Sequence, residues 1–431
     1  MTGKGARVAL VNLGCRVNRV ELDAMALELQ KRGCQLVGQR EAQAIVINTC
    51  AVTGEAQAKT RKAVRRAARM PQKPVVFATG CVASLFADEL RALGDNIVVE
   101  PLKASVAARV LEALGTSDAS DAEASTSPVS ADTPVHPTPT GRTRPGIKIQ
   151  DGCDNRCTFC IVWKARGHSR SVDTSIVLDE VRAAQERGAR EVVLTGINLG
   201  NFRGAGRDGR PIELPGLIKT ILGETDVERI RLSSIEPPDV TDELLSVMAA
   251  AGERVAPFLH VCLQSGCDRT LRAMGRVYDT TFFGDMVTRT REALPHISLG
   301  TDLIVGFPGE TDDDFDQSMA FCRQMGFSRM HVFRYSKRPG TPAAPREDQV
   351  GAHVIAKRSD RLLALAQQMR LERAREHVDS DELVVVQYPG RGVSGGLFDV
   401  LVDDIHAVDE LVRVRVHDVL PDSTLDARTH L

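Results

Sequence analysis

Short apolar runs alternate with amphipathic segments along the first quarter of the chain. Apolar runs of strand length are typical of strands buried on both faces of a parallel sheet, and apolar positions three and four residues apart are typical of helices. This alternation predicts a parallel α/β sheet domain for residues 1–115, with ligands beyond the carboxyl ends of its strands. The predicted strands are 7–13, 44–48 and 74–79, and the predicted helices are 20–31, 55–70, 84–93 and 105–114.

The same alternation returns from residue 146 to residue 375. Six apolar runs of strand length are separated by segments with helical spacing, of which residues 175–187 are an example. Six strand–helix units predict a curved parallel sheet or open (β/α) partial barrel, whose chemistry should follow the carboxyl ends of the strands. The predicted strands are 146–150, 191–195, 229–234, 258–263, 298–305 and 330–335.

The pattern changes between these two parts and again after them. Residues 116–145 hold five prolines and no Leu, Ile, Phe or Met, which predicts a linker that is disordered over much of its length. Residues 381–431 hold three β-rich runs with Gly-containing turns between them, which predicts a small antiparallel β-barrel. The predicted fold class is therefore α/β, with an N-terminal parallel sheet, a partial barrel and a small antiparallel barrel.

Composition narrows the class of protein. The 431 residues are 42% hydrophobic and 26% charged, as in ordinary soluble proteins, and no run approaches the ~20 apolar residues of a membrane span. The apolar stretch 8–11 is too short for the core of a signal peptide. We therefore expect a cytoplasmic protein without a membrane partner. Its ten cysteines should serve metal binding or catalysis rather than disulfides.

Three cysteines share one short run: Cys153, Cys157 and Cys160, called here the loop set. Three thiolates on one loop can hold three irons of a cubane cluster and leave the fourth iron open to a small molecule. The spacing, with the aromatic Phe159 before the last cysteine, differs from ferredoxin and zinc patterns and resembles that of radical S-adenosylmethionine enzymes. The alternative is a structural zinc or an electron-transfer cluster.

Three further cysteines, Cys15, Cys50 and Cys81, called here the strand-end set, each follow a predicted strand. Carboxyl ends of parallel strands meet at one edge of a sheet, so these thiols could hold a second three-ligand cluster. The alternative is three buried cysteines that act as small hydrophobes. The other cysteines show no such pattern. Cys34, Cys262 and Cys322 are interpreted as packing residues, and Cys267 is close to a predicted active-site loop.

The motifs around these cysteines resemble those of the radical S-adenosylmethionine methylthiotransferases over nearly the whole chain. Within that family the chain is similar to the tRNA threonylcarbamoyladenosine methylthiotransferases of the MtaB type. The matching stretches are LGCRVN (13–18), NTCAVT (48–53), RLSSIEP (231–237), LQSG (263–266), TDLIVGFPGE (301–310) and HVFRYSKR (331–338). The resemblance implies a C-terminal barrel of the TRAM type.

The resemblance also implies two 4Fe–4S clusters and S-adenosylmethionine as cofactors. The loop set would hold the cluster at which S-adenosylmethionine is cleaved to a radical. The strand-end set would hold an auxiliary cluster with a sulfur that is methylated. The radical would remove hydrogen from C2 of a modified adenosine next to the anticodon of a tRNA, where the methylthio group is delivered. An electron donor such as flavodoxin or ferredoxin and a sulfur source are further expected partners.

Other residues at the ends of the barrel strands are candidates for cofactor contact. Polar side chains there could bind the methionyl group or the ribose, and a glycine lets the backbone approach a ligand closely. Phe159 could pack on the adenine or the cluster, or be a core aromatic instead. Gly306 and Gly309 form a Gly-x-x-Gly pair, which is a weaker indication of ligand binding because such a pair is often only a turn. The candidates are Phe159, Thr195, Gly196, Asn198, Ser234, Glu236, Gln264 and Gly306.

Because the net charge is −2, an RNA site must be a local basic patch. Six cations fall within eleven residues of one predicted helix, although such a run is often only a solvated face. They are Lys59, Arg61, Lys62, Arg65, Arg66 and Arg69, with Arg166, Arg170, Lys337 and Arg338 as further candidates. Residues 381–431 hold ten acids and four arginines, which is unexpected for a barrel that grips RNA.

Three alternatives remain open on the sequence. One is a methylthiotransferase acting on a ribosomal protein side chain, which the acidic C-terminal part would suit because ribosomal proteins are basic. Another acts on isopentenyl-modified adenosine in tRNA. The third is a non-catalytic RNA-binding protein with structural metal sites, which predicts closed sites of four ligands.

Overall fold

The computed structural model of the chain describes residues 5–115, 137–206 and 209–429. These residues form two compact units. The first contains the residues up to Gly141 together with Ile161–Gly167, and the second contains Arg142–Cys160 and the residues from His168 onward. Most of the predicted linker, residues 116–136, lies outside the described residues. In its described end, Thr138 and Thr143 are buried.

A five-stranded parallel sheet with the order β2-β1-β3-β4-β5 forms the centre of the first unit. Apolar side chains on its two faces pack into separate cores under the helices. The predicted parallel α/β sheet is confirmed. The strands are β1 (Arg7–Asn12), β2 (Gln35–Leu36), β3 (Ala44–Thr49), β4 (Val75–Gly80) and β5 (Ile97–Val99). The helices are α1 (Arg16–Lys31), α2 (Gly54–Ala68), α3 (Cys81–Leu85), α4 (Ala87–Arg91), α5 (Val106–Ala113) and α6 (Val162–Arg166).

Two helices of this unit differ from their predictions. Helix α1 begins at Arg16, four residues before its predicted start, directly after Cys15. The prediction of one helix over residues 84–93 is wrong. Helix α3 begins at Cys81, and the backbone of Phe86 leaves the helical region with φ −136° and ψ 45°, so that α4 is a separate helix.

The second unit contains the predicted partial barrel, and that prediction is confirmed. Its strands pair in parallel as β6-β9-β12 and β13-β14-β15-β16, with Ser233 between the two groups. The barrel strands are β6 (Gly146–Lys148), β9 (Glu191–Thr195), β12 (Arg229–Leu232), β13 (Ser234–Ile235), β14 (Phe258–Val261), β15 (Ser298–Val305) and β16 (Arg329–Arg334). The short strands are β7 (Gln150–Asp151), β8 (Arg170–Ser171), β10 (Gly204–Ala205) and β11 (Pro211–Ile212).

Helices pack their apolar faces against the outside of the barrel strands in one large core. This core buries Val192, Leu194, Leu259 and Leu303 completely or nearly so. The helices are α7 (Thr174–Glu186), α8 (Leu214–Glu224), α9 (Asp242–Ala251), α10 (Asp268–Ala273), α11 (Thr280–Ala293), α12 (Asp312–Met325) and α13 (Ala352–Arg375). Among the described residues, no helix is both long enough and apolar enough to cross a membrane.

A curled, mostly antiparallel sheet follows α13. Its strand order is β20-β17-β18-β19-β22-β21. Within this sheet, as far as it is described, β19 and β22 pair in parallel and the other pairs are antiparallel. It buries Val384, Val386, Phe398 and Val400, as expected for a small antiparallel β domain. The strands are β17 (Asp381–Tyr388), β18 (Arg391–Ser394), β19 (Asp399–Leu401), β20 (Leu411–Arg415), β21 (Asp418–Val419) and β22 (Leu425–Asp426).

Buried charges at the amino ends of β9 and β12 join the barrel to this curled sheet. Glu191 accepts hydrogen bonds from Arg229 Nε at 2.5 Å and from Arg231 Nε at 2.7 Å. The two guanidinium groups also donate to the carbonyl oxygens of Leu383 at 2.6 Å and Gly395 at 2.7 Å. Burial opposes ionisation of Glu191, but the arginines outweigh it and lower the pKa of the carboxyl. The two arginines, fixed by Glu191, therefore hold the curled sheet against the barrel through these carbonyl contacts.

Candidate functional site

The strand-end set lies where the sequence predicts. Cys15, Cys50 and Cys81 follow β1, β3 and β4, which are neighbours in the sheet. Burial first, and then the charges of Cys15 and Cys81, raise the pKa of Cys50 to about 11, so the three sulfurs are close enough to interact. The structure therefore brings the three thiols together at one edge of the sheet.

An amide network beneath these thiols fixes their loops. The Asn18 amide donates from Nδ2 to Asn48 Oδ1 and to the Thr49 carbonyl, both at 2.9 Å, and Asn48 Nδ2 donates to the Asn18 carbonyl at 2.7 Å. The Thr49 hydroxyl donates to the Thr79 carbonyl at 2.6 Å. At Gly80, with φ +89°, a Cβ would lie 2.4 Å from Asn48 Oδ1. These bonds tie the turn after Cys15 to the end of β3, and the end of β3 to the end of β4.

The structure corrects the expectation for Arg166. This residue, at the end of α6, is buried and donates from Nη1 to Glu21 Oε1 at 2.8 Å. Its Nη2 donates to Asn18 Oδ1 at 3.2 Å. A guanidinium buried in an ion pair is not available to an RNA phosphate, so the prediction of phosphate contact by Arg166 is wrong. The sequence carried no local signal for this pairing, because Glu21 is 145 residues away.

In the second unit, the loop set lies between β7 and α6, and backbone contacts hold it in place. The Thr158 amide donates to the Met274 carbonyl at 2.9 Å, and the Thr158 carbonyl accepts from the Ala343 amide at 2.9 Å. Cys157 is buried, whereas Cys153 and Cys160 are partly exposed. The loop that carries the three thiols therefore has a fixed backbone.

One arginine that the sequence did not single out contacts the loop set. Arg276 donates from Nη1 to Cys157 Sγ at 3.0 Å and from Nε to the Tyr278 hydroxyl at 2.9 Å, and its Nη2 contacts Glu236. The Glu236 carboxylate, a predicted site residue, is therefore close to the cysteine loop. A lone arginine after a glycine gives no sequence signal for such a role.

A second residue missed by the sequence prediction, Gln150, connects the cysteine loop to the end of β9. Its Nε2 donates to the Gly152 carbonyl at 2.8 Å, and its Oε1 accepts from the amides of Ile197 and Asn198, both at 2.9 Å. At Gly196 a Cβ would lie 2.9 Å from Gln150 Oε1. The glycine is thus needed for packing against Gln150.

The other predicted cofactor residues lie at the carboxyl ends of barrel strands. Thr195 ends β9 and Asn198 follows it, both buried, and Ser234 is half-buried in β13. Gln264 follows β14 with φ +69°, a backbone conformation that is uncommon for non-glycine residues. The roles of these residues in cofactor binding stay predictions.

Three predicted residues also have structural explanations. Phe159 packs against Met274, Phe307 and Tyr335, as a core aromatic would. At Gly306, with φ +74°, a Cβ would lie 2.3 Å from the Ile355 side chain. At Gly309, similarly, a Cβ would lie 2.5 Å from Asp348 Oδ2. Glycine is required at these positions by packing and backbone conformation, whether or not a ligand binds there.

Three polar side chains of β14, β15 and β16 also meet. Asp302 Oδ1 lies 2.8 Å from His260 Nε2 and 3.1 Å from His331 Nδ1. Such a group could hold a metal ion. However, Arg329 Nε donates to His331 Nε2 at 3.3 Å, which places the ring proton on Nδ1. In this arrangement the Asp302 carboxylate accepts the N–H of His331.

The predicted basic helix, α2, has exposed cations at Lys59, Lys62, Arg65, Arg66 and Arg69. Arg61 is half-buried, and Lys59 pairs with Glu55 at 2.7 Å. Of the further candidates, Arg170 and Lys337 are exposed. Arg338 is buried, so it is not on the surface that RNA contact would require.

The two sets of thiols fit iron–sulfur clusters better than single ions. Thiolates 2.3 Å from a tetrahedral zinc lie about 3.8 Å apart. Among the described residues, the one group of three ligand atoms within 4.8 Å of one another is His260, Asp302 and His331. Neither cysteine set is gathered that tightly, and each offers three sulfur ligands. A partial parallel barrel with three thiols on the loop after its first strand defines the class of radical S-adenosylmethionine enzymes.

Comparison with known proteins supports the assignment to this class. The Radical SAM superfamily matches residues 147–322, and the Uncharacterized protein family UPF0004 matches residues 7–99. The threonylcarbamoyladenosine tRNA methylthiotransferase MtaB of Bacillus subtilis is 37% identical over 86% of this chain and 83% of its own length. That of Thermotoga maritima is 32% identical over 98% of this chain and 97% of its own length.

Two further likenesses bear on the family and the fold. The tRNA-2-methylthio-N(6)-dimethylallyladenosine synthase of Novosphingobium aromaticivorans is 33% identical over 96% of this chain and 95% of its own length. The radical S-adenosylmethionine methyltransferase TsrM of Kitasatospora setae superposes with a TM-score of 0.54 over 79% of this chain and 77% of that chain. At 16% identity this shows likeness of fold alone.

The chain belongs to the radical S-adenosylmethionine methylthiotransferase family. It is therefore an enzyme, a transferase, and the expectation drawn from its motifs is confirmed. Its cofactors are S-adenosylmethionine and two 4Fe–4S clusters, as that expectation requires.

Proposed function

We propose that this enzyme adds a methylthio group to C2 of threonylcarbamoyl-modified adenosine next to the anticodon of tRNA. The observation that carries the proposal is the presence of two separate three-thiol sets in one chain, each fixed by its own hydrogen bonds. Several relatives that align with most of the chain have names stating this activity. The non-catalytic alternative predicted closed sites of four ligands, whereas each proposed set here has three thiols.

The two thiol sets take different roles in this proposal. The loop set binds the cluster that, with S-adenosylmethionine bound, supplies the radical chemistry. The strand-end set binds the auxiliary cluster that carries the sulfur to be transferred. Phe159, on the cysteine loop, remains a candidate for cofactor contact, as do Thr195, Gly196, Asn198, Ser234, Glu236, Gln264 and Gly306 at the strand ends. Each lies at or beyond the carboxyl end of a barrel strand, where barrel enzymes bind ligands.

The chain's own side chains orient these groups. Gln150 joins the cysteine loop to the backbone after β9, so hydrogen bonds fix the position of one relative to the other. Arg276 contacts both Cys157 and Glu236, which places a cation and a carboxylate beside the loop set. Fixed groups of this kind give the proximity advantage of an intramolecular reaction.

The partners follow from the same proposal. A tRNA substrate would be held in part by the exposed cations of α2, because phosphate contacts from Lys and Arg dominate RNA affinity. An electron donor such as flavodoxin or ferredoxin and a sulfur source would supply what the chain lacks. A cytoplasmic location accords with a tRNA substrate.

The test is mass spectrometry of tRNA nucleosides from a strain that lacks the gene, with and without the gene restored. The methylthio form of threonylcarbamoyladenosine should disappear and return. Restoration with Cys50→Ala should fail, whereas Cys34→Ala, a change at a packing cysteine of the same unit, should succeed. An unchanged nucleoside profile in the deletion strain would refute the proposal.

Relatives named for activity on dimethylallyladenosine support one second candidate, isopentenyl-modified adenosine in tRNA. The same measurement separates the two. If the methylthio form of isopentenyladenosine is lost instead, the enzyme acts on that nucleoside.

A further inference from the structure

A buried network of charged side chains lies behind the strand-end set. The guanidinium of Arg166, with 4% of its side chain exposed, donates to the Glu21 carboxylate at 2.8 and 3.2 Å. It also donates from Nη2 to Asn18 Oδ1 at 3.2 Å. The Cys15 thiol donates to the same oxygen of Asn18 at 3.1 Å. Arg166 is therefore separated from a proposed cluster ligand by one side chain.

The Glu21 carboxylate of this network also faces a second cation. Lys103 Nζ lies 2.6 Å from Glu21 Oε2, so one carboxylate faces two cations. Buried charges are stable only when opposite charge compensates them.

Neither end of the connection can move freely. Asn18 is buried, and its Nδ2 is held by both Asn48 and Thr49 at 2.9 Å. Arg166 is held by both oxygens of Glu21. The charge therefore stays at a fixed position relative to Cys15, which a surface arginine would not do.

We propose that Arg166 is a positioning residue for the auxiliary cluster, whose fixed positive charge, one side chain away from Cys15, raises the reduction potential of that cluster. Reduction adds a negative charge to the cluster, and net charge is one of the factors that set its potential. A fixed cation stabilises the reduced form more strongly in a buried site than it would in water. The inference rests on the proposed assignment of the strand-end set as cluster ligands.

The competing explanation is that Arg166 serves the fold alone, as the partner of Glu21. The two explanations differ in the sign of the effects. If charge acts on the cluster, Arg166→Gln lowers the potential and Glu21→Gln raises it. If the pair serves only the fold, the two substitutions leave the potential unchanged or shift it in the same direction.

The experiment uses the full chain with the loop set replaced by alanine, so that the auxiliary cluster is the one cluster expected. After anaerobic reconstitution, iron content is measured and the midpoint potential is followed by electron paramagnetic resonance. The variants are Arg166→Gln, Arg166→Lys and Glu21→Gln, with Arg40→Gln, an exposed arginine of the same unit, as the matched control. Circular dichroism reports on folding.

The proposal predicts a lower potential for Arg166→Gln, the original potential for Arg166→Lys and Arg40→Gln, and a higher potential for Glu21→Gln. Equal potentials in folded Arg166→Gln and its parent would overturn it. If Arg166→Gln does not fold, the sign of the Glu21→Gln shift decides: a rise supports the proposal and no rise refutes it. A parent chain without iron would instead refute the assignment of the ligands.

Discussion

At the scale of single residues, hydrogen-bond donors decide what the buried acids of this enzyme do. Asp302 shows this inside the barrel. Burial opposes its ionisation, but hydrogen bonds from His260 and His331 outweigh burial and hold the pKa of the carboxyl below its usual range. A further donor, the Cys262 thiol, lies 3.6 Å from Oδ2. The carboxylate is therefore a fixed structural anion between three strands.

The depressed pKa gives a prediction for stability against pH. A carboxyl whose pKa is lowered by folding stabilises the folded state above its unfolded pKa of about 3.9, and this stabilisation is lost as the pH falls toward the folded value. At pH 7 we expect Asp302→Asn to lower the free energy of unfolding by roughly 1.5–3 kcal/mol. The difference from the parent should shrink below pH 4. Urea unfolding at both pH values measures it.

The control for this change is Asp226→Asn, at an exposed aspartate of the same unit. It should leave the free energy of unfolding within about 0.5 kcal/mol of the parent at both pH values. A decrease in Asp302→Asn that stays constant from pH 7 to pH 3 would contradict the assigned ionisation.

At the scale of elements, turns after parallel strands place the reactive thiols. The turn from β4 into α3 has Gly80 at φ +89°, where a Cβ would lie 2.4 Å from Asn48 Oδ1 and 2.5 Å from the Thr49 carbonyl. We expect Gly80→Ala to displace Cys81 and remove the auxiliary cluster while the other cluster remains. Reconstituted protein should then hold about half of the parent's iron. Gly38→Ala, where a Cβ meets open space, should hold the parent's full amount.

Helix α2 carries the second prediction at this scale. Replacement of Lys62, Arg65 and Arg66 by alanine removes three exposed cations. If these side chains bind phosphates, tRNA affinity should fall and its dependence on salt should become shallower by roughly 0.7 for each phosphate that is no longer neutralised. Binding measured by filter retention at several salt concentrations tests this.

A matched triple change, Lys31→Ala, Lys73→Ala and Arg91→Ala, removes the same charge from exposed positions outside α2. It should alter the salt dependence less. Equal effects of the two triple variants would mean that general charge, and not this helix, attracts the tRNA.

The helices, strands and turns also show which features of the site could be predicted from the sequence and which could not. The strand-end set could be predicted because parallel strands bring their carboxyl ends to one edge, a rule that needs no long-range information. The pairing of Arg166 with Glu21, or of Arg276 with Glu236, could not, because a single arginine gives no local signal of its partner. The break at Phe86 was missed because residues 84–93 have unbroken helical spacing.

At the scale of the whole molecule, the burial of charged side chains at the amino ends of the barrel strands could not be predicted from the sequence either. Arg229 and Arg231 stand in a short strand where charges suggest exposure, yet both are buried on Glu191. Through the carbonyls of Leu383 and Gly395 they attach the curled sheet to the barrel. The acidic C-terminal sheet is thus held by cations that the barrel supplies.

Removal of the central acid should loosen this attachment. Glu191→Gln leaves two buried arginines without their carboxylate, which costs roughly 3–5 kcal/mol of stability in comparable buried pairs. We expect faster release of a C-terminal fragment in limited proteolysis, followed by mass spectrometry. Glu186→Gln, at an exposed position of α7, should digest at the parent's rate. Unchanged digestion of Glu191→Gln would show that apolar packing alone holds the sheet.

The seven-residue excursion of the chain at Ile161–Gly167 has a consequence for modularity. Ile161 directly follows the last cysteine of the loop set, yet it packs in the core of the first unit with Val82 and Ala83. A fragment cut anywhere between residues 115 and 145 would lack this piece and leave a gap in its own core. Neither unit is one continuous stretch of sequence, so neither can be exchanged or grafted as a single segment. We therefore expect the two units to be inherited together.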